Sequence, residues 1–102
     1  MWVVIQDKSN KHDKYVLELY NQLKPSYDKL YMNVPVRNSK RLLGEADIIA
    51  KKGKRTDIYE VKCSHRITKA KHQAKKLRKN LRLSSKARFY FYCGSSKSLM
   101  ML

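Results

Sequence analysis

The sequence predicts a single α/β domain over residues 1–102, built in the order helix, three strands, helix, strand, with a mixed sheet flanked by helices. Three observations carry this. Apolar residues recur at helical spacing from Lys11 to Leu23 and again from Thr68 to Arg82. Between them lie three runs of strand character: Lys29 to Arg37, Gly44 to Ala50 and Asp57 to Ser64. After the second helix, Arg88 to Cys93 carries Phe89, Tyr90, Phe91 and Tyr92, the pattern of a strand buried on both faces. A strand reached from its neighbour through a helix is expected to run parallel to it, by a right-handed crossover.

Each element has a local reason. Trp2 to Ile5 is a short apolar run in an N-terminal extension, residues 1–10, and reads equally as an edge strand or as a segment packed across the core. Ser9 or Asn10 can cap the first helix, in which Val16, Leu19, Tyr20 and Leu23 share one face and which Pro25 ends. In Lys29 to Arg37, Leu30, Met32, Val34 and Val36 alternate with Tyr31, Asn33 and Pro35. Proline cannot donate to a ladder, so this strand belongs at a sheet edge. The next two strands are joined by a tight turn from Lys51 to Arg55, with Gly53 supplying a permissive backbone. The second helix has a narrow apolar stripe of Ile67, Ala70, Ala74, Leu77 and Leu81, and its remaining surface is almost wholly Lys and Arg. Residues 95–102 form a tail, flexible in composition through Ser95 to Ser98 but ending in four apolar residues that suit packing on the domain or on a partner chain.

Charge defines the partner. The chain is 102 residues long, room for one modest core, and carries 24 Lys and Arg against 8 Asp and Glu, a net charge of +16. Such an excess points to a polyanion, either nucleic acid or an anionic membrane surface. No apolar run approaches the length needed to span a bilayer and no signal-peptide pattern is present, so the expectation is an intracellular nucleic-acid-binding protein, in the cytoplasm or on the nucleoid. Glu60 is the last acidic residue, while Glu45, Asp47, Asp57 and Glu60 lie close together, so a small acidic centre is expected within a basic field. Cys63 and Cys93 lack metal-ligand spacing and read as free thiols, although parallel neighbouring strands would place both at one sheet end. His65 and His72 read as phosphate contacts or solvated side chains.

The chemistry concentrates at Glu60-Val61-Lys62. On a strand Glu60 and Lys62 share a face, and a hairpin closed over Gly53 brings Asp47 near the same side. Taken alone, a carboxylate-x-lysine pair is usually a solvated ion pair. Here it sits among Ile, Tyr and Val, where unpartnered charge is costly to bury. Two hard oxygen ligands beside an ammonium suit a magnesium ion, which takes few carboxylates and completes its shell with water and substrate phosphate.

Asp47 followed by Glu60-Val61-Lys62, between a helix with Glu18 and a helix with Gln73, resembles the PD-(D/E)xK nuclease superfamily. Within it the chain is most similar to the archaeal Holliday junction resolvases and their small relatives, through Asn33-Val34-Pro35-Val36-Arg37-Asn38-Ser39, Ala46-Asp47-Ile48-Ile49-Ala50-Lys51-Lys52-Gly53 and Tyr59-Glu60-Val61-Lys62-Cys63-Ser64. Ala46 stands where the superfamily name has proline, a departure that leaves the metal ligand intact. The resemblance implies a restriction-endonuclease-like core and Mg2+-dependent (or Mn2+-dependent) hydrolysis of phosphodiester bonds in branched DNA such as four-way junctions, by a homodimer. It implies that Asp47, Glu60 and the Val61 carbonyl hold the ion, with Glu18 as a further contact and Asp13 its rival. Lys62 would orient the attacking water or neutralise charge on the phosphorane, and Gln73 would help order the site.

DNA contacts are expected from Arg37, Ser39, Lys40 and Arg41 before the motif, and from Ser64, Arg66, Lys69, Lys75, Lys76 and Lys79 after it. Two other functions fit the same residues. One is a non-catalytic basic nucleic-acid-binding protein on a nuclease scaffold. The other is a nuclease of nicked, flapped or single-stranded DNA, since contacts of this kind read shape and backbone rather than bases.

Overall fold

The computed structural model describes residues 11–37, 42–64, 66–80 and 87–102. Trp2 to Ile5, the capping residues Ser9 and Asn10, the loop residues Ser39, Lys40 and Arg41, and His65 lie outside that set. The elements run α1 (Lys11–Leu23), β1 (Lys29–Arg37), β2 (Leu42–Lys52), β3 (Arg55–Lys62), α2 (Ile67–Asn80), β4 (Arg88–Cys93) and β5 (Ser98–Met101). Together they make an α/β domain with one mixed five-stranded sheet in the order β1-β2-β3-β4-β5.

β1 lies at the sheet edge, as Pro35 requires, and pairs antiparallel with β2 from Lys29↔Lys51 to Arg37↔Leu42. β2 and β3 close over Gly53 and Lys54, with φ +59 at Gly53 and no positive φ at Lys54, the pattern of a type II′ hairpin. The Gly53 N–H donates to Asp28 Oδ2 at 2.8 Å, which ties this turn to the start of β1. α2 then carries the chain to β4, which runs parallel to β3 from Asp57↔Arg88 to Lys62↔Cys93.

The tail differs from expectation. Ser98 to Met101 is a fifth strand, antiparallel to β4, so the sheet has one strand more than the sequence predicts. Its backbone pairing is what the short run Leu99-Met100-Met101 gains, because those side chains remain exposed. Cys63 and Cys93 are free thiols, Cys93 buried and Cys63 half-buried.

Two cores sandwich the sheet. On one face Val16 and Leu19 of α1 pack on Ile48, Ala50, Tyr59, Val61 and Tyr92. On the other Leu77 of α2 packs on Val36, Ala46, Ile58 and Phe89. Close approach is required at Gly94, where a Cβ would lie 2.1 Å from the Tyr15 ring of α1. The acidic centre expected from sequence is divided. Asp57 belongs to a buried structural cluster, in which Tyr27 donates to its Oδ2 at 2.6 Å and Arg55 and Arg88 each approach its carboxylate at 3.3 Å.

Asp57 is fully buried and its partners are chosen to neutralise it. Both arginines are partly exposed, so solvent screens some of the attraction. Asp57→Ala should still lower stability by roughly 2–3 kcal/mol, since it leaves Tyr27 with only the Tyr59 hydroxyl as partner and removes the anion between two cations. Scanning calorimetry should show the midpoint falling by about 10 °C or more. A change below about 2 °C would show that the cluster does not hold the hairpin to β4.

Candidate functional site

The candidate site begins where two strands stop pairing. The β2–β3 ladder runs from Lys52↔Arg55 to Ile48↔Tyr59 and goes no further, although β3 stays paired with β4 as far as Lys62↔Cys93. At the same level β1 and β2 change faces. Leu30, Ile48 and Ala50 pack on the α1 side, whereas Val34, Val36 and Ala46, also even-numbered, pack on the α2 side. The switch falls at Asn33 and Asp47. Asn33 adopts φ +53, a left-handed conformation that asparagine tolerates better than other side chains.

This divergence frees the backbone of Val61. Alternate residues of a strand direct their N–H and C=O groups to alternate neighbours. Lys62 O accepts from Gly94 N, on the β4 side, so the Val61 groups face β2. With the ladder ended they find side chains instead. The Val61 N–H donates to Asp47 Oδ2 at 2.8 Å, and the Val61 carbonyl faces His12 Nε2 at 3.0 Å. His12 Nε2 is also 3.4 Å from Asp47 Oδ2. Asp47 is 5% exposed, held between the β3 backbone and an imidazole from the start of α1.

Glu60 lies beside this group, 7% exposed. Its Oε2 is 3.2 Å from Lys62 Nζ, the same-face pairing that the strand period predicts, while Oε1 is buried without a hydrogen-bond partner. Burial and the neighbouring Asp47 push its pKa up to about 7, against the opposing pull of Lys62. A buried carboxylate oxygen with no donor, next to a second carboxylate and a freed carbonyl, suits a hard divalent cation. Among the described residues no three His, Cys, Asp or Glu side chains already stand at metal-binding distance. The donors that fit an ion are Asp47, Glu60 and the Val61 carbonyl.

The other predicted residues divide. Glu18 is engaged elsewhere, taking Tyr92 Oη at 3.0 Å and Lys97 Nζ at 2.7 Å, and these partners lower its pKa. Six residues beyond His12, it lies about 9 Å further along the helix and about 240° around it. The α1 side chain that reaches Asp47 is therefore His12. Asp13 Oδ1 stands 3.7 Å from the other ring nitrogen of His12. Gln73 bridges α2 to β2, donating to Glu45 O at 3.3 Å, two residues before Asp47, and packing against Gly44.

Ser64, Arg66 and Lys69 line a cleft of about 320 Å³ together with Cys63 and with His12 and Lys62, the side chains that touch Asp47 and Glu60. Lys75 lines a separate cleft on α2 with Thr68, Lys71 and His72. Lys76 and Lys79 are exposed on α2, and Arg37 ends β1. His12 escapes the sequence reading, yet it had a signal. It precedes Val16 by four residues and Leu19 by seven, and so continues the buried face of α1. The chain matches no protein-family model, no curated protein and no solved structure.

Glu60 gives this region a pH signature. A carboxyl whose pKa rises from 4.5 to about 7 on folding binds its proton more tightly in the folded state. The associated stability is full below pH 4.5 and is lost as pH rises through 7. Glu60→Gln removes the effect, so in metal-free buffer the variant should gain on the native chain by on the order of 3 kcal/mol between pH 4.5 and pH 8. Urea unfolding at both pH values measures the difference. A gap independent of pH would mean that Glu60 titrates as an ordinary surface carboxylate.

Proposed function

We propose that this chain is a PD-(D/E)xK nuclease on a restriction-endonuclease-like core, a metal-dependent endonuclease that hydrolyses phosphodiester bonds in branched DNA such as four-way junctions. The observation that carries the reading is the buried, unpartnered oxygen of Glu60 beside Asp47 and the Val61 carbonyl, at the edge of a cleft lined by Lys62, Arg66 and Lys69. The α-β-β-β-α-β order, with β3 and β4 parallel, supports placing the chain on that core.

In this reading Asp47, Glu60 and the Val61 carbonyl hold Mg2+ or Mn2+. When bound, the ion supplies a water of lowered pKa and withdraws charge from the phosphate. Lys62, 3.2 Å from Glu60, is placed to hold the attacking water or to offset charge gathering on the phosphate oxygens. Asp47 keeps its orientation through the Val61 N–H, and Gln73 fixes the strand segment before it. Arg66, Lys69 and Ser64 bind the neighbouring phosphates, with the basic face of α2 extending the track. A junction presents two equivalent strands, which two copies of the chain would meet. The exposed Leu99, Met100 and Met101 on the uncharged β5 edge are the surface on which a second copy would dock. Among the described residues no helix is long and apolar enough to cross a membrane.

The decisive experiment compares a labelled four-way junction with a linear duplex of the same sequence, with and without Mg2+. Symmetric Mg2+-dependent nicks confined to the junction are expected. Glu60→Ala and Asp47→Ala should abolish them, and Lys62→Ala should slow them by about 10²–10³-fold, with junction binding retained. Equal cleavage of both substrates would keep the chemistry and discard the junction preference. Tight binding without cleavage in Mg2+ or Mn2+ would leave a basic nucleic-acid-binding domain. Binding itself should weaken steeply with salt, and Arg66→Ala or Lys69→Ala should each reduce the slope of log K against log salt by about 1. An unchanged slope in both variants would remove the cleft from the DNA contact surface.

A further inference from the structure

We propose that His12 Nε2 is a direct metal ligand of this site, the donor that α1 contributes in place of Glu18, and that it makes the site favour Mn2+ over Mg2+. This rests on the reading of Asp47, Glu60 and Val61 as metal donors. Neighbouring ligands of an octahedral ion with bonds of about 2.1 Å lie about 3 Å apart. His12 Nε2 is 3.0 Å from the Val61 carbonyl oxygen and 3.4 Å from Asp47 Oδ2. The imidazole thus already stands at ligand-to-ligand spacing from two oxygen donors, and a small shift of either side chain admits an ion among the three.

The rest of the ring's environment agrees. Metal-bound histidines commonly give their second ring proton to a carboxylate, which fixes the tautomer that leaves the ligating nitrogen bare. Asp13 Oδ1, 3.7 Å from His12 Nδ1, is one side-chain adjustment from that role. His12 sits on the buried face of α1, four residues before Val16, so its backbone is anchored by the core. Glu18 is withdrawn from competition by Lys97 and Tyr92. A nitrogen donor adds affinity for transition-series cations and little for magnesium, whose preferred ligands are oxygens.

Titration calorimetry of the full chain with Mn2+ alone and Mg2+ alone, in a buffer free of nitrogen ligands and without DNA, tests the assignment independently of cleavage. His12→Ala should weaken Mn2+ by about tenfold or more and Mg2+ by less than about threefold, and Glu18→Ala should change neither. Electron spin echo spectra of bound Mn2+ should carry nitrogen modulation that disappears in His12→Ala. His12→Gln, which can still donate to the Val61 carbonyl, should lose it too. With the side chain one-third exposed, both variants are expected to fold, and unfolding midpoints check this. Mn2+ binding that requires Asp47, shows no nitrogen modulation and survives His12→Ala would overturn the role of His12 and leave the nuclease reading standing. No Mn2+ or Mg2+ binding beyond that of Asp47→Ala would overturn both.

Discussion

The hydrogen bond from Val61 N–H to Asp47 Oδ2 closes a gap that the sheet itself leaves open. Had the β2–β3 ladder continued past Ile48↔Tyr59, the N–H and carbonyl of Val61 would have been consumed by backbone, and Asp47 would have been one more side chain on a paired strand. The change of face at Asn33 and Asp47 prevents this. It turns an ordinary hairpin into an opening where two carboxylates and a lysine gather around a Val61 carbonyl that is met by the His12 imidazole instead of by backbone. The neighbouring β3–β4 pairing keeps that wall straight, with hydrogen bonds to Lys62 and Cys63 from Gly94 and Ser95.

Three acidic residues illustrate how differently the chain treats buried charge. Asp57 is surrounded by a phenol and two guanidinium groups, and nothing about it is left over. Asp47 is held by a backbone N–H and an imidazole. Glu60 has one lysine at 3.2 Å and one oxygen with no partner. A chain that satisfies Asp57 fully has the means to satisfy a carboxylate where stability alone is at stake. The incomplete shell at Glu60, only three residues along the same strand, therefore reads as a local sacrifice of stability of the kind that functional sites carry.

Most of this architecture was legible in the sequence. Pro35 placed β1 at the edge, Gly53 located the hairpin turn, and the intervening helix made β4 parallel to β3. The strand period alone put Glu60 and Lys62 on one face. What stayed hidden depends on geometry that spacing does not encode. Ser98 to Met101 is too short and too exposed to announce a strand, and forms one because β4 offers an edge. Glu18 and His12 both occur on α1, and only the rotation of that helix against the sheet decides which of them meets Asp47. Asp57 and Glu60 look alike as members of one acidic run, yet their side chains serve different ends of β3.

The raised pKa of Glu60 decides what Lys62 can and cannot do. Lys62 is partly exposed, so water screens its attraction, while burial and Asp47 act on Glu60 from the protein side and prevail. A single ammonium at the cleft edge therefore does not return Glu60 to the usual carboxylate range. An unscreened double charge seated between the two carboxylates would, because it opposes both causes of the shift at once. The net charge of +16 does not substitute for it, because charge at a solvated surface is screened by water and salt before it reaches a buried oxygen. The basic surface and the acidic pair are thus electrostatically distinct, and they meet where Lys62 touches Glu60 and His12 touches Asp47, at the cleft that Arg66 and Lys69 also line.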